Sequence, residues 1–237
     1  MKINKNKPVI VALDFSSLKE SLIFLESIDP ELCQVKIGKQ LFVSEGPQAV
    51  KKINSLGFNI FLDLKFHDIP NTVEAACLAA ADLGCWMVNV HASGGRAMLE
   101  AASNAYANLR NPPLLVGVTV LTSFSEQQLQ EVGYVGALED NVRKLTILSQ
   151  TSGLDGVVCS ARELGLLSPL TGNQFLFVTP GVRFEGESKN DQNRVSTPES
   201  ALKNGADYLV LGRSISASSD PLSRISLIND LSINTQR

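Results

Sequence analysis

The stretch N-I-F-L-D-L-K (59–65), running on into F-H-D (66–68), is where the architecture of this chain and its chemistry meet. Alternate residues of a strand share a face, so Asp63 and Lys65 point the same way. A short apolar run carrying a carboxylate and an ammonium at its far end fits a strand buried on both faces, as in a parallel sheet. Seven further runs have the same character: 9–14, 34–38, 87–91, 114–120, 156–160, 175–180 and 208–212.

Helical patterns lie between these runs. Residues 70–83 are Ala-rich, with Asn71 three places before Glu74 as a capping-box-like start and Gly84 as the stop. Pro198 suits a first helical position before Gly205, and Asp220-Pro221 opens a last helix running towards Ile233. Eight strands alternating with helices in 237 residues match a (β/α)8 TIM barrel of class α/β. A doubly wound open sheet is the competing architecture. Asp14, Lys36, Asp63, Lys65, His91, Thr119 and Gly212 all fall at or near C-terminal strand ends. A barrel places its chemistry there, whereas an open sheet would gather it at one switch point. No linker or composition shift divides the chain, so residues 1–237 read as one domain, with a lid loop at about 181–195.

The net charge of −3 and the lack of a basic run interleaved with aromatics argue against a nucleic-acid groove. Four scattered cysteines form no CxxC and read as reduced. The longest uncharged apolar run, 114–121, is too short for a bilayer, and no signal-peptide pattern follows the basic N-terminus. The expectation is a soluble, cytoplasmic protein without membrane or nucleic-acid partners.

Asp63 and Lys65 admit two readings, a structural ion pair or a catalytic one, and Asp68 could simply help the following helix to start. Four charges, Lys36, Asp63, Lys65 and Asp68, at two buried strand ends favour chemistry, because burying charge is costly unless pairing offsets it. Such an alternating array keeps carboxylates ionised and an ammonium ready as proton donor. Residues 178–183, V-T-P-G-V-R, lead into an aperiodic polar stretch, and L-G-R-S (211–214) turns from strand into helix. Gly212 and Arg213 could bind phosphate at that turn, or be a plain turn with a solvated Arg. Asp14 could hold a sugar hydroxyl or cap the helix from Ser16. Thr122 and Ser123 could hydrogen-bond an amide-bearing ring or cap a helix near Glu126, and on the residues alone capping is the preferred reading. His67 and His91 lack a third metal ligand in the pattern and read as structural or substrate-adjacent.

Taken together, V-A-L-D, V-K-I-G, D-L-K-F-H-D-I-P-N-T, L-T-S, T-P-G-V-R and L-G-R-S resemble, in order and spacing from about residue 8 to 235, the orotidine 5′-phosphate decarboxylase family. The resemblance implies a homodimeric barrel with shared active sites, converting orotidine 5′-monophosphate to UMP and CO2 with neither metal nor organic cofactor. It implies Lys65 as proton donor to C6, Asp63 against the departing carboxylate, and Lys36 positioning Asp63 and touching the ribose. Asp14 would hold a ribose hydroxyl, Asp68 and Thr72 would reach the other subunit's site, and Thr122 and Ser123 would read the pyrimidine. Gln192, Arg213 and the Gly212 backbone would grip the phosphate, with Pro180 also at the substrate and Arg183 at the base of the lid.

The nearest rival is a metal-dependent sugar-phosphate lyase such as 3-keto-L-gulonate 6-phosphate decarboxylase, which shares D-x-K-x-x-D but carries an acidic metal ligand on its second strand. Lys36 stands at that place here, and a cation repels Mg2+. A non-catalytic barrel that binds a phosphorylated ligand is the rival from another class, and it gives no reason to keep the charged array.

Overall fold

The computed structural model describes residues 7–187 and 195–235. Its strands are β1 (Val9–Ala12), β2 (Gln34–Gly38), β3 (Ile60–Phe66), β4 (Met87–His91), β5 (Leu114–Val118), β6 (Gly156–Val158), β7 (Leu176–Thr179) and β8 (Tyr208–Leu211). They pair in parallel in that order, and β8 returns to β1, closing the barrel. Every strand lies within two residues of its sequence-based bounds, and closure disposes of the open sheet.

Period-2 alternation sorts the strand residues into two cores. Ile10, Phe61, Met87, Val116, Leu176, Val178 and Tyr208 fill the barrel interior, where Trp86 and Tyr208 meet edge to face at 5.1 Å. Val9, Val11, Val35, Ile37, Ile60, Leu62, Val88, Leu209 and Leu211 face outward under the helices. Each such buried side chain contributes roughly 1.5–3 kcal/mol of hydrophobic stabilisation. Gly156 marks the closest backbone approach, since a Cβ there would lie 2.3 Å from the Leu176 carbonyl oxygen of β7. Below the barrel the Asp155 and Asp207 carboxylates accept the Leu115 and Phe177 N–H groups at 2.7 and 2.9 Å, tying loops to strands.

The helix after β3 spans Pro70–Asp82, and its start differs from the capping-box expectation. Ile69 is the N-cap, without a side-chain bond, and Asn71 lies inside the first turn. Proline decides this: it has no N–H to satisfy and its fixed φ suits the first helical position. Gly84, at φ +77°, ends that segment as expected. The helix Pro198–Lys203 begins at Pro198 under a Thr197 cap, and the last helix runs Pro221–Thr235 with the Ser223 N–H donating to Asp220 Oδ1 at 3.0 Å. No described helix is long and apolar enough to cross a membrane.

Candidate active site

The inward positions of β2, β3 and β4 change from apolar to polar towards the C-terminal end of the barrel. On β3 the series is Phe61, Asp63, Lys65; on β4 it is Met87, Asn89, His91; on β2 it is Gln34, Lys36. The registers Ala12↔Lys36 and Gly38↔Asp63 set these ends side by side. The result is a row of alternating charge. Asp14 Oδ1 lies 3.4 Å from Lys36 Nζ, Lys36 Nζ 3.3 Å from Asp63 Oδ2, and Asp63 Oδ1 2.5 Å from Lys65 Nζ. The Lys36 and Asp63 side chains are only 11% and 12% exposed, so each charge needs partners to offset its burial.

Burial works against both charges, and pairing wins. Burial lowers the Lys36 pKa, but Asp63 and then Asp14 outweigh it and leave the ammonium above the usual lysine value. Burial raises the Asp63 carboxyl, but Lys36, Lys65 and hydrogen bonds from Lys65 and Asn89 hold it below the usual carboxylate range.

Lys65 adopts φ +54°, the one left-handed residue other than glycine among the described residues. A lysine has no local reason to sit there, at a cost of about 1–3 kcal/mol. The cause is a bulge: Leu62 pairs with Val88 and Phe66 with Val90, so β3 advances four residues while β4 advances two. Bulges of this kind re-aim side chains. The Lys65 N–H, turned off the ladder, donates to Asn89 Oδ1 at 2.8 Å, while Asn89 Nδ2 donates to Asp63 Oδ1 at 2.7 Å.

The row forms one wall of a cavity of about 300 Å3 at the barrel mouth. Asp14, Lys36, Asp63, Lys65, Thr122, Ser123, Pro180, Arg183, Gly212 and Arg213, all expected from sequence, line it together. Four of its lining side chains are cationic and two anionic, which suits an anionic ligand. Gly212 starts a short helical turn, Arg213–Ser216, and its missing Cβ leaves the Asp14 carboxylate room at 3.3 Å. The strand-seven loop is pinned at its stem, where Arg183 N–H donates to the Ser196 carbonyl at 2.9 Å and Ser196 N–H to the Gly181 carbonyl at 3.3 Å. Arg183 gives Nη1 to the Val182 carbonyl at 2.8 Å, and its buried Nε has no partner among the described residues.

Several expectations need correction. Thr122 and Ser123 do not cap the next helix: Ser125 does, in a capping box with Gln128, and leaves the other two at the cavity wall. Asp14 caps no helix either, since Ser17 takes that place for Leu18–Leu25. Asp68 is not a buried member of the row: it is exposed, its Oδ1 accepting the Ile69 N–H at 2.7 Å, and Asp14 is the row's second carboxylate. Thr72 is exposed as well, and neither it nor Asp68 lines the cavity of its own chain. Gln192 lies outside the described residues. His91 and His67 stand with ring centroids 5.5 Å apart, and burial, then His67, Lys65 and Lys39, lower the His91 pKa to about 4. Asn89, which the sequence reading passed over, lines the cavity and contacts two members of the row. Its signal was a polar residue at an inward position of M-V-N-V-H (87–91).

The fold and site can be set beside known proteins. A family model described as orotidine 5′-phosphate decarboxylase / HUMPS family matches residues 7–228. The orotidine 5′-phosphate decarboxylase of Nitrosococcus oceani is 51% identical over 214 residues, covering 90% of this chain and 92% of that protein. That of Chromobacterium violaceum is 50% identical over 227 residues, covering 95% and 92%. Among solved structures, orotidine 5′-phosphate decarboxylase from Lactobacillus acidophilus superposes with a TM-score of 0.85 at 35% identity, covering 95% of this chain and 98% of that one. With residues 7–228 matched and about half of the aligned positions identical to such relatives, this chain belongs to the orotidine 5′-phosphate decarboxylase / HUMPS family.

Proposed function

We infer that this chain decarboxylates orotidine 5′-monophosphate to UMP and CO2 in pyrimidine biosynthesis, with Lys65 as the proton donor. The observation that carries the reading is the row Asp14–Lys36–Asp63–Lys65 at the mouth of a barrel whose relatives bear that name. The C6–carboxylate bond breaks and its electron pair stays on C6, in the ring plane, where π-delocalisation gives no relief. The Lys65 ammonium faces that developing anion, stabilises it and transfers a proton to C6. Solvent then reprotonates the amine. Asp63, held ionised by its neighbours, stands against the substrate carboxylate, and their repulsion is relieved as CO2 departs.

The remaining assignments follow the cavity wall. Asp14 and Lys36 take ribose hydroxyls, Thr122 and Ser123 the pyrimidine edge, and Gly212 N–H, Arg213 and Arg183 the phosphate, with Pro180 packed beside the nucleotide. The stretch at 181–195, including Gln192, closes over the phosphate, so binding energy remote from C6 contributes to the rate. Asp68 and Thr72 serve the other subunit of a homodimer; their exposure on the barrel's upper rim supports this reading. No metal is needed by this scheme, and Lys36 opposes one by charge. Phosphorylated nucleotides do not cross membranes, so the reaction belongs in the cytoplasm.

Incubating the purified protein with orotidine 5′-monophosphate and excess EDTA, while following the near-ultraviolet change, tests the reading. Rapid formation of UMP is expected, and Lys65→Ala is expected to abolish turnover while UMP still binds. No conversion, with activity appearing only on Mg2+ and a keto-sugar phosphate, would replace the reading by the lyase. Silence with both, alongside tight UMP binding, would leave a binder.

A further inference from the structure

Asn89 is 1% exposed and sits on β4, one strand away from the two residues it contacts. Its amide uses both ends. Oδ1 accepts the backbone N–H of Lys65 at 2.8 Å, and Nδ2 donates to Asp63 Oδ1 at 2.7 Å. That same carboxylate oxygen receives Lys65 Nζ at 2.5 Å, while Oδ2 is left to Lys36 at 3.3 Å. Each contact answers a specific need. The Lys65 N–H has left the strand ladder through the bulge, and a buried N–H without a partner is costly. The Asp63 carboxylate must present one oxygen to each lysine, and a donor fixed on β4 sets the plane in which it does so.

We propose that Asn89 is a positioning residue for the decarboxylation: it locks Lys65 in its left-handed backbone state and fixes the plane of the Asp63 carboxylate, so that the ammonium is aimed before substrate arrives. The side chain acts through Asp63 and Lys65 and does not itself meet the reacting atoms. Other polar types fit less well. Aspartate keeps the acceptor but sets a second carboxylate against Asp63, and leucine has the shape without either bond. The proposal rests on the decarboxylase reading, and the experiment separates the two.

Wild type, Asn89→Leu and Asn89→Asp are compared for kcat and KM with orotidine 5′-monophosphate, for UMP affinity, and for melting temperature. A wild type that fails to convert the substrate defeats the decarboxylase reading, and this proposal with it. With an active wild type, Asn89→Leu is expected to lose kcat by about 10- to 100-fold, the effect of losing one hydrogen bond to a charged group. KM and UMP affinity are expected to stay within about threefold, because the phosphate grip lies at the β7–β8 side. A kcat within threefold of wild type, or a loss in which kcat, KM and UMP affinity deteriorate together, overturns the proposal and leaves Asn89 a structural residue. Should the leucine variant not fold, Asn89→Asp decides. Its new carboxyl faces Asp63 and Lys65 on β3, with Lys36 on β2 beyond Asp63 and His91 on its own strand. Two adjacent carboxyls share a proton more readily than one, so the acid limb of its kcat profile is expected at higher pH than in wild type. An unmoved acid limb overturns the proposal.

Discussion

Replacing Lys36 with Met removes the ammonium at the centre of the charge row and keeps a side chain of similar length. Across the 3.3 Å between Lys36 Nζ and Asp63 Oδ2 the gross attraction is about 5 kcal/mol at an effective dielectric constant of ~20. Part is offset, since a buried ammonium carries its own desolvation cost. In practice, removing one partner of a buried pair costs roughly 3–5 kcal/mol. Asp63 keeps Lys65 at 2.5 Å and Asn89 at 2.7 Å, so the lower end, about 3 kcal/mol, applies here. Asp14 adds little, because its side chain is 61% exposed and such contacts contribute less than about 1 kcal/mol. At about 2–4 °C per kcal/mol for a chain of this length, the melting temperature at pH 7 is expected to fall by about 6–12 °C. The pH dependence has a definite sign. Burial pushes the Asp63 carboxyl up, and Lys36 is the largest influence bringing it down. Without Lys36, Asp63 takes a proton at higher pH, and the acid limb of kcat moves up by about one pH unit for each 1.4 kcal/mol its ionised form loses. Calorimetry at pH 7 and kcat measured between pH 4 and 8 report both effects. A melting temperature within about 2 °C of wild type, together with an unmoved acid limb, would refute the coupling of Lys36 to Asp63.

If sites are shared, mixing inactive Lys65→Ala and Asp68→Ala dimers under exchange conditions is expected to restore activity. Half the dimers are then mixed and one of their two sites is intact, so the regain is about a quarter of wild type. Proven heterodimers without activity would sink the shared site. His91 gives an acid sensitivity of known sign. Its folded pKa of about 4 lies below the ordinary histidine value of 6.5, so the unfolded chain takes up the proton first as pH falls. Stability is expected to drop between pH 6.5 and 4, by about 1 kcal/mol at pH 5 once partial exposure is discounted, or about 2–4 °C. Melting wild type and His91→Asn at pH 7 and 5 checks this: the variant is expected to lose less on acidification, and an equal loss would remove His91 as the cause.

The strands were legible because parallel strands buried on both faces must be short runs of branched and apolar residues, and no other element needs such runs eight times over. The polar residues at their ends were legible by position alone. What escaped depends on registers between strands. Asn89 becomes informative only when β4 is set against the bulge in β3, and no residue in D-L-K announces that Lys65 will turn to φ +54°. Local competition explains the caps. Ser-x-x-Gln at 125–128 was a stronger start signal than Thr122 or Ser123, and Pro70 overruled Asn71 because a ring without an N–H fits the first turn. Asp68 looked like part of the row by spacing from Lys65, but the strand ends at Phe66 and the chain turns outward before reaching it.

On the decarboxylase reading, the sign of the side chain at position 36 decides which charges the mouth of the barrel can hold together. Lys36 Nζ stands 3.3 Å from Asp63 and 3.4 Å from Asp14, so it reaches both carboxylates from β2. With lysine there both acids meet a cation from within the protein, and the row is complete in itself. With a carboxylate there, as in the metal-dependent lyases this chain resembles at D-x-K-x-x-D, three acids would crowd within hydrogen-bonding reach of one another. Like charges at such distances cannot all remain ionised unless a cation joins them. That crowd calls for a dication, which could then stabilise an oxyanion on a keto-sugar. An anion at C6 of a pyrimidine offers a metal no such oxygen, and an ammonium aimed at the ring plane is the group that can both stabilise and quench it. On the decarboxylase reading inferred above, one strand position therefore separates two chemistries on a shared barrel, and Lys36 opposes the metal-dependent one by its charge.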